Sequence, residues 1–188
     1  EQIAEGAGVV ILEPLARAQK RQARTYANIV GYATTTDGVD RINPASDGVQ
    51  LAKAIKIALE DAQLKPTDID YVCLDGAATK VGDISETRAI KQVFNGHSQK
   101  LICSAPKSIF GNMLGACGAV DVITTILAMR YNVIPPTINL NSPDAECDLN
   151  YCANVAQEKE IRNALIINRG RGGINCVLVL QNPKIIKI

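Results

Sequence analysis

Short apolar runs alternate with helix-like segments along this chain, and the alternation restricts its fold more than any other feature. Residues 71–74 carry no charge and are typical of a short strand buried on both faces of a sheet. Residues 49–62 place apolar side chains at helical spacing and stop ahead of Pro66. Strands that alternate with helices indicate a layered α/β fold, with a mostly parallel sheet and helices on both faces.

The same patterns predict most of the remaining elements. Residues 7–12 form one more short apolar run, and either Asp83 or Ser85 is available to cap a helix. The segment 114–131 is apolar nearly all round, so we expect a helix buried on every side. The predicted helices span residues 13–22, 84–94 and 114–131, and the predicted strands span residues 25–32, 101–103, 164–167 and 176–180.

Three loops follow predicted strands, where ligands of such sheets gather. They span residues 75–79, 104–112 and 168–175. In the first, Thr79 can place a hydroxyl at the rim of a pocket, although an aspartate such as Asp75 more often only caps a turn. In the second, a partly desolvated Lys107 would bind an acidic group, although a solvated loop lysine is the simpler interpretation.

The third loop combines three glycines with two guanidinium groups, Arg169 and Arg171. Its backbone amides suit a phosphate, and its guanidinium groups suit carboxylates. RNA-binding Arg-Gly-Gly segments are long and repeated, so RNA binding is not expected here. No Gly-Lys-Ser or Gly-Lys-Thr follows the glycines, which excludes a Walker phosphate loop.

The charge balance gives no reason to expect a nucleic-acid or membrane partner. The chain has 188 residues, of which 47 % are hydrophobic, and a net charge of +1. No apolar run approaches the roughly 20 residues of a membrane helix. The start at Glu1 and Gln2 differs from a basic, then apolar, leader. The sequence therefore predicts a cytoplasmic protein.

The cysteines and the sole histidine predict no metal site, no cofactor and no complete catalytic set. The six cysteines are scattered singly in a chain long enough to bury a core without disulfides, so we expect free thiols. Cys147 and Cys152 lack the spacing of zinc ligands. A Cys or Ser nucleophile needs a nearby base, and His97 lies in a polar turn where solvation is the usual state.

Ordered stretches across almost the whole chain carry a family resemblance. They are residues 5–13, 58–62, 68–71, 86–90, 107–108, 114–116, 135–139 and 148–149, together with Asp83 and Gly111. With these stretches the chain resembles the C-terminal half of the β-ketoacyl synthases, the condensing enzymes of fatty-acid and polyketide assembly. The resemblance implies a thiolase-like fold in which residues 1–188 form the C-terminal half. It implies that the N-terminal half, with the nucleophile position, is absent through cleavage or truncation.

The chain departs from the active members of that family at both histidine positions. Asp75-Gly76-Ala77-Ala78-Thr79 stands where active enzymes have His-Gly-Thr-x-Thr, and Asn112 stands where they have a second histidine. Those imidazoles polarise the thioester carbonyl and stabilise the enolate formed on decarboxylation. An ionised aspartate only accepts hydrogen bonds, and an asparagine cannot shuttle a proton. The resemblance therefore implies that no catalytic residues remain.

A third departure is the pair of arginines, which stands where active enzymes place gating phenylalanines. Taken together, the departures look like the chain length factor, the non-catalytic partner of the ketosynthase in bacterial type II polyketide synthases. On this resemblance the degenerate active-site positions are Asp75, Thr79, Glu86, Lys107, Asn112, Arg169 and Arg171.

The resemblance also implies partners. They are a catalytic ketosynthase in a heterodimer, the chain's own N-terminal half, and an acyl carrier protein, with the growing chain in a tunnel at the shared interface. One alternative is a divergent β-ketoacyl-[acyl carrier protein] synthase that still performs decarboxylative condensation. Another is a binding domain whose Arg169 and Arg171 hold a phosphate, such as that of the carrier protein's pantetheine.

Opposite charges occur together at the three loops, and this predicts an ion-pair network. We expect Asp75 to meet a guanidinium group, from Arg169 or Arg171, or the ammonium group of Lys107. Such a network would fill the former active-site cavity. Removing one partner of a buried ion pair leaves the other charge uncompensated, so the network would be costly to break.

Overall fold

The five-stranded sheet at the centre of the fold is mixed. The computed structural model describes residues 2–183. Glu1, on which part of the expectation about the start of the chain rests, lies outside these residues. The strands are β1 (Asn28–Thr36), β2 (Tyr71–Cys73), β3 (Ile102–Ser104), β4 (Val133–Ile134), β5 (Gln157–Glu158), β6 (Asn163–Gly170) and β7 (Ile174–Gln181). The sheet order is β1-β7-β6-β2-β3, and β4 pairs separately with β5.

The predicted mostly parallel arrangement holds for half of this sheet. β2 is parallel to both β3 and β6, whereas β7 is antiparallel to both β6 and β1. The reason is the short glycine-rich turn between β6 and β7, since a tight turn can join only antiparallel strands. The parallel strands β2 and β3 are joined through a helix, as crossover connections require.

Helices cover both faces of the sheet, which confirms the layered α/β fold. They are α1 (Leu15–Lys20), α2 (Val49–Asp61), α3 (Lys80–Phe94), α4 (Lys107–Phe110) and α5 (Cys117–Tyr131). Side chains alternate between the faces along β2. Val72 packs in the core under α2 and α3, whereas Cys73 packs with Met129 of α5 in a second core. All six cysteines are free thiols, and four of them are buried.

Local hydrogen bonding shifts two of the predicted helix boundaries. α3 begins at Lys80 because the Thr79 hydroxyl accepts from Gly82 N at 3.2 Å, so neither Asp83 nor Ser85 is the cap. The predicted helix at 114–131 opens with a 3₁₀ turn, Leu114–Ala116, and becomes α-helical only from Cys117. α4 is a single short turn inside a segment that the sequence predicts as loop.

The prediction that the apolar helix is buried on every side is wrong for this chain. One face of α5 is buried on the sheet, but Leu127 and Tyr131 are exposed. Leu114–Tyr131 spans 18 residues with mean hydropathy 1.3, so contrary to the sequence prediction one segment is long and apolar enough to cross a membrane. Core helices pass the same test, and here the buried face packs against β6.

The apolar run at residues 7–12 forms neither a helix nor a strand. It crosses α5 closely at Gly8, where an added Cβ would lie 2.9 Å from the Cβ atom of Ala119. Its outward side chains are open to solvent, and Ile11 is 91 % exposed. Unlike residues 71–74, this run has no strand partner within residues 2–183.

Candidate functional site

A buried lysine joins two of the three predicted loops. Lys107 Nζ donates to Asp75 Oδ1 at 3.1 Å and to the Asp75 carbonyl oxygen at 2.7 Å. The same atom lies 3.4 Å from Asp121 Oδ2. The side chains of Lys107, Asp75 and Asp121 are only 5 %, 10 % and 2 % exposed. These three residues are called the charged cluster below.

The fold brings the charged cluster together from three elements. Asp75 lies just beyond β2 and Lys107 just beyond β3, and parallel neighbouring strands end at the same edge of a sheet. Asp121 lies on the buried face of α5 and accepts from Asn168 Nδ2 at 2.6 Å. Sequence reasoning missed Asp121, although a lone acidic residue in an otherwise apolar helix was the available signal.

The electrostatics of the cluster keep its lysine charged. Burial lowers the pKa of Lys107, but Asp75 and Asp121 together raise it further, so the net shift is well above the ordinary value. Burial raises the pKa of Asp121, against the attraction of Lys107. The cluster is therefore a buried ammonium group shared between two carboxyl groups.

Glu86 holds the turn that follows β2. Its carboxyl oxygens accept from Asp75 N at 2.8 Å and from Gly76 N at 3.1 Å. Burial, and then the negative charge of Asp75, raise the pKa of Glu86 to about 7. Glu86 thus supports the charged cluster through the backbone, and its charge changes near neutral pH.

We expect Glu86→Gln to change how stability depends on pH. The folded-state pKa of about 7 lies above the unfolded value, so the native state binds the extra proton and wild-type stability falls as pH rises from about 4.5 to 7.5. Glutamine cannot ionise. Relative to wild type, the variant should gain roughly 2 kcal/mol between pH 5 and pH 8. Urea unfolding of the full-length protein at both pH values measures this.

The exposed acid Glu146, which pairs with Arg88 at the surface, provides the matched control. Glu146→Gln, which removes one partner of an exposed pair, should change the free energy of unfolding by less than about 1 kcal/mol at either pH. An equal change in both variants, or none in Glu86→Gln, would show that Glu86 is not the group responsible.

The guanidinium groups of the third loop do not pair with Asp75, which corrects part of the predicted network. Arg169 reaches Asp75 only through its backbone, whose N–H donates to Asp75 Oδ1 at 3.1 Å. Its side chain turns the other way, towards Asp37, Ser85 and Asn175. Arg171 is exposed in the turn and makes no ion pair with any residue that the structure describes. Lys107 is therefore the cationic partner of Asp75.

Asn112 and Thr79 have local structural partners. Asn112 Oδ1 accepts from Leu114 N at 2.9 Å and from Cys117 Sγ at 3.3 Å. The hydroxyl of the exposed Thr79 caps α3, and Thr79 does not line the cavity described next. Of these two predicted site residues, only Asn112 lies beside the cavity described next.

A cavity of about 550 Å³ lies between α3, residues 105–112 and residues 137–144. Glu86, Lys107 and Asn112 are among its polar lining residues, and Leu74, Ile84, Ile90 and Leu140 are among its apolar ones. Asp75, Arg169 and Arg171 lie outside the lining. The cavity is thus a mainly apolar space with the lysine of the charged cluster on one wall.

No group of three or more His, Cys, Asp and Glu side chains is placed to hold a metal ion within residues 2–183. Cys147 is half-buried, and the buried Cys152 donates from its thiol to the Val155 carbonyl oxygen at 3.3 Å.

Comparison with known proteins identifies the class of this layered fold. Residues 26–141 match the family model described as the C-terminal domain of beta-ketoacyl synthase. The chain belongs to the β-ketoacyl synthase family.

Two curated relatives show how much of a whole protein the chain represents. The first, from Streptomyces virginiae, carries the name of a polyketide beta-ketoacyl synthase 1 and is 39 % identical over 97 % of this chain and 43 % of its own length. The second, 3-oxoacyl-[acyl-carrier-protein] synthase 2 of Staphylococcus aureus, is 41 % identical over 94 % of this chain and 44 % of its own length. The chain therefore spans less than half the length of these relatives.

Solved structures share the fold closely. The ishigamide ketosynthase/chain length factor matches with a TM-score of 0.90 and 34 % identity, over 96 % of this chain and 44 % of the matched one. A type II polyketide synthase acyl-carrier protein, in complex with its ketosynthase bound to the hexaketide, includes a chain that matches with a TM-score of 0.88 and 32 % identity, over 90 % and 42 % of the two chains. These matches confirm the thiolase-like fold.

Proposed function

We propose that this chain is the C-terminal half of a non-catalytic chain length factor, which pairs with a catalytic ketosynthase in a type II polyketide synthase. The observation that carries the proposal is the charged cluster. Asp75 stands at the position implied for a catalytic imidazole, and its carboxylate is occupied by the Lys107 ammonium at 3.1 Å. Similarity to a structure named for a ketosynthase/chain length factor supports the same assignment.

The cluster is poorly suited to condensation because its donors are already in use. Condensation needs donors aimed at the charge that develops on the thioester or enolate oxygen. A lysine ammonium has three N–H groups. Lys107 directs its ammonium to three oxygens, namely Asp75 O, Asp75 Oδ1 and Asp121 Oδ2. An ionised Asp75 would itself repel a developing oxyanion.

The proposal includes the partners and the compartment. The catalytic ketosynthase would supply the nucleophilic cysteine, an acyl carrier protein would deliver the chain, and the cytoplasm would contain the assembly. A structural relative that holds a carrier protein together with its ketosynthase supports partners of this kind. The mainly apolar cavity beside the cluster is compatible with a tunnel wall that both subunits share.

The second candidate is a divergent β-ketoacyl-[acyl carrier protein] synthase. Similarity to the Staphylococcus aureus 3-oxoacyl-[acyl-carrier-protein] synthase 2 is the observation that favours it. On this alternative the full-length protein would condense acyl and malonyl groups without a second type of subunit.

Reconstitution separates the two candidates. The full-length protein, its ketosynthase partner, and both together are given acyl and malonyl carrier proteins, and the condensed product is measured. We expect the mixture to exceed this protein alone by about 100-fold or more, the loss typical when oxyanion donors are removed. Condensation by this protein alone at the rate of the mixture would favour the divergent synthase.

A further inference from the structure

A closed ring of polar side chains lies behind the charged cluster. Arg169 Nε donates to Asn175 Oδ1 at 3.0 Å, and Asn175 Nδ2 donates to Asp37 Oδ1 at 2.8 Å. Arg169 Nη2 completes the ring as an ion pair 3.5 Å from Asp37 Oδ2, although this nitrogen makes no hydrogen bond within the described chain. The side chains of Arg169 and Asp37 are 6 % and 1 % exposed. This ring of Arg169, Asn175 and Asp37 is a buried ion pair bridged by an amide, and it is called the polar ring below.

The polar ring connects segments that are distant in the sequence. Asp37 Oδ2 accepts from Ala45 N at 2.8 Å, which organises the loop between β1 and α2. Asp37 N donates to the Gly173 carbonyl oxygen at 2.8 Å, which ties that loop to the turn between β6 and β7. Arg169 Nη1 donates to Ser85 Oγ at 2.7 Å, which anchors the arrangement on α3.

The turn also packs tightly against the loop. Gly173 has a φ of +76°, and a Cβ added there would lie 2.6 Å from the Cβ atom of Asp37. Only glycine allows both this backbone conformation and this approach. The turn therefore rests against Asp37 and has little room to shift while Asp37 stays in place.

We infer that Arg169 is a positioning residue that fixes the glycine-rich turn, residues 170–173, and the loop 37–48 as one immobile rim beside the charged cluster. If the loop moved alone, the buried Asp37 carboxylate would lose the cation of Arg169. If the turn moved alone, the Asp37 N–H would lose its acceptor, the Gly173 carbonyl oxygen. The backbone N–H of Arg169 also donates to Asp75 Oδ1, so the rim is joined to the cluster. The inference goes beyond the proposed function, because the mobility of the rim can be measured independently of whether the subunit condenses acyl groups.

Hydrogen exchange on the full-length protein tests the rim. The reporters are the amides of Asp37 and Ala45, whose acceptors are the turn and the polar ring. Arg169→Met should speed exchange of both amides by about 100-fold or more, because loss of the cation leaves a buried charge unpaired. Leu165 in the middle of β6 should keep its exchange rate, which separates local opening from general destabilisation.

Two further variants sharpen the test. Arg171→Met removes an exposed arginine from the same turn and should leave both amides within about threefold of wild type. In the background of Asp37→Asn, adding Arg169→Met should accelerate Ala45 much less than it does in wild type, as expected for groups that act as a pair. Equal effects of Arg169→Met and Arg171→Met, or acceleration of only one reporter amide, would overturn the inference.

If Arg169→Met does not fold, hydrogen exchange in the wild-type protein still tests whether the turn and the loop form one rim. If the turn and the loop form one rim, they open together. The amides of Asp37 and Ala45 in the wild-type protein should then have protection factors within about tenfold of each other. Protection factors that differ by more than that, or exchange as fast as in an open loop, would contradict a single rim.

Discussion

Lys107→Met is expected to lower the free energy of unfolding of the full-length protein by about 3–5 kcal/mol. Methionine fills a similar volume without a charge, so the variant leaves Asp75 and Asp121 buried with no cation between them. Each carboxyl group would then have to protonate or draw in water. Urea unfolding at neutral pH measures the loss, and thermal melting provides an independent reading.

Lys91→Met is the matched control. Lys91 pairs with Asp148 at the surface, where both side chains are close to half exposed. Exposed pairs of this kind contribute about 0–1 kcal/mol. The account is contradicted if the two variants lose similar stability, because the charged cluster would then contribute no more than a surface pair.

Asp75→Ala is expected to lower the free energy of unfolding by about 3 kcal/mol. The variant removes one charge partner of Lys107 and leaves the backbone N–H of Arg169 without its acceptor. The Asp75 carboxylate accepts from both Lys107 Nζ and Arg169 N. Lys107 retains Asp121, so the loss should be smaller than in Lys107→Met. Asp148→Ala, at the exposed end of a surface pair, should cost less than about 1 kcal/mol. A melting temperature for Asp75→Ala equal to that of wild type would remove the ion-pair network from the account.

Elements are predictable from this sequence where the spacing of apolar residues matches either a helix or a strand. The helix predicted at residues 49–62 forms as α2 at Val49–Asp61, and the strand predicted at 176–180 lies within β7. The antiparallel pairing of β1 with β7 was less accessible, because these two strands are far apart in the sequence and no short turn joins them. The exposed side of α5 was missed for a similar reason, since an apolar composition does not say which faces find partners within this chain.

The contacts of the site were predictable where charged residues directly follow neighbouring strands. Asp75 and Lys107 both follow strands that end at one edge of the sheet, so their pairing follows from topology. The contact between Arg169 and Asp37 does not, because Asp37 lies beyond β1 and meets Arg169 only after β1 pairs with β7. The sequence shows that opposite charges occur at the loops, and the packing decides which of them meet.

A double-mutant cycle between Lys107 and Asp75 tests the central claim most directly. The unfolding free energies of wild type, Lys107→Met, Asp75→Ala and the double variant are measured under one set of conditions. A charged cluster held by mutual attraction predicts that the double variant loses at least about 1 kcal/mol less than the sum of the single losses. Losses that add to within about 0.3 kcal/mol would mean that the two residues act independently and that no ion-pair network occupies this position.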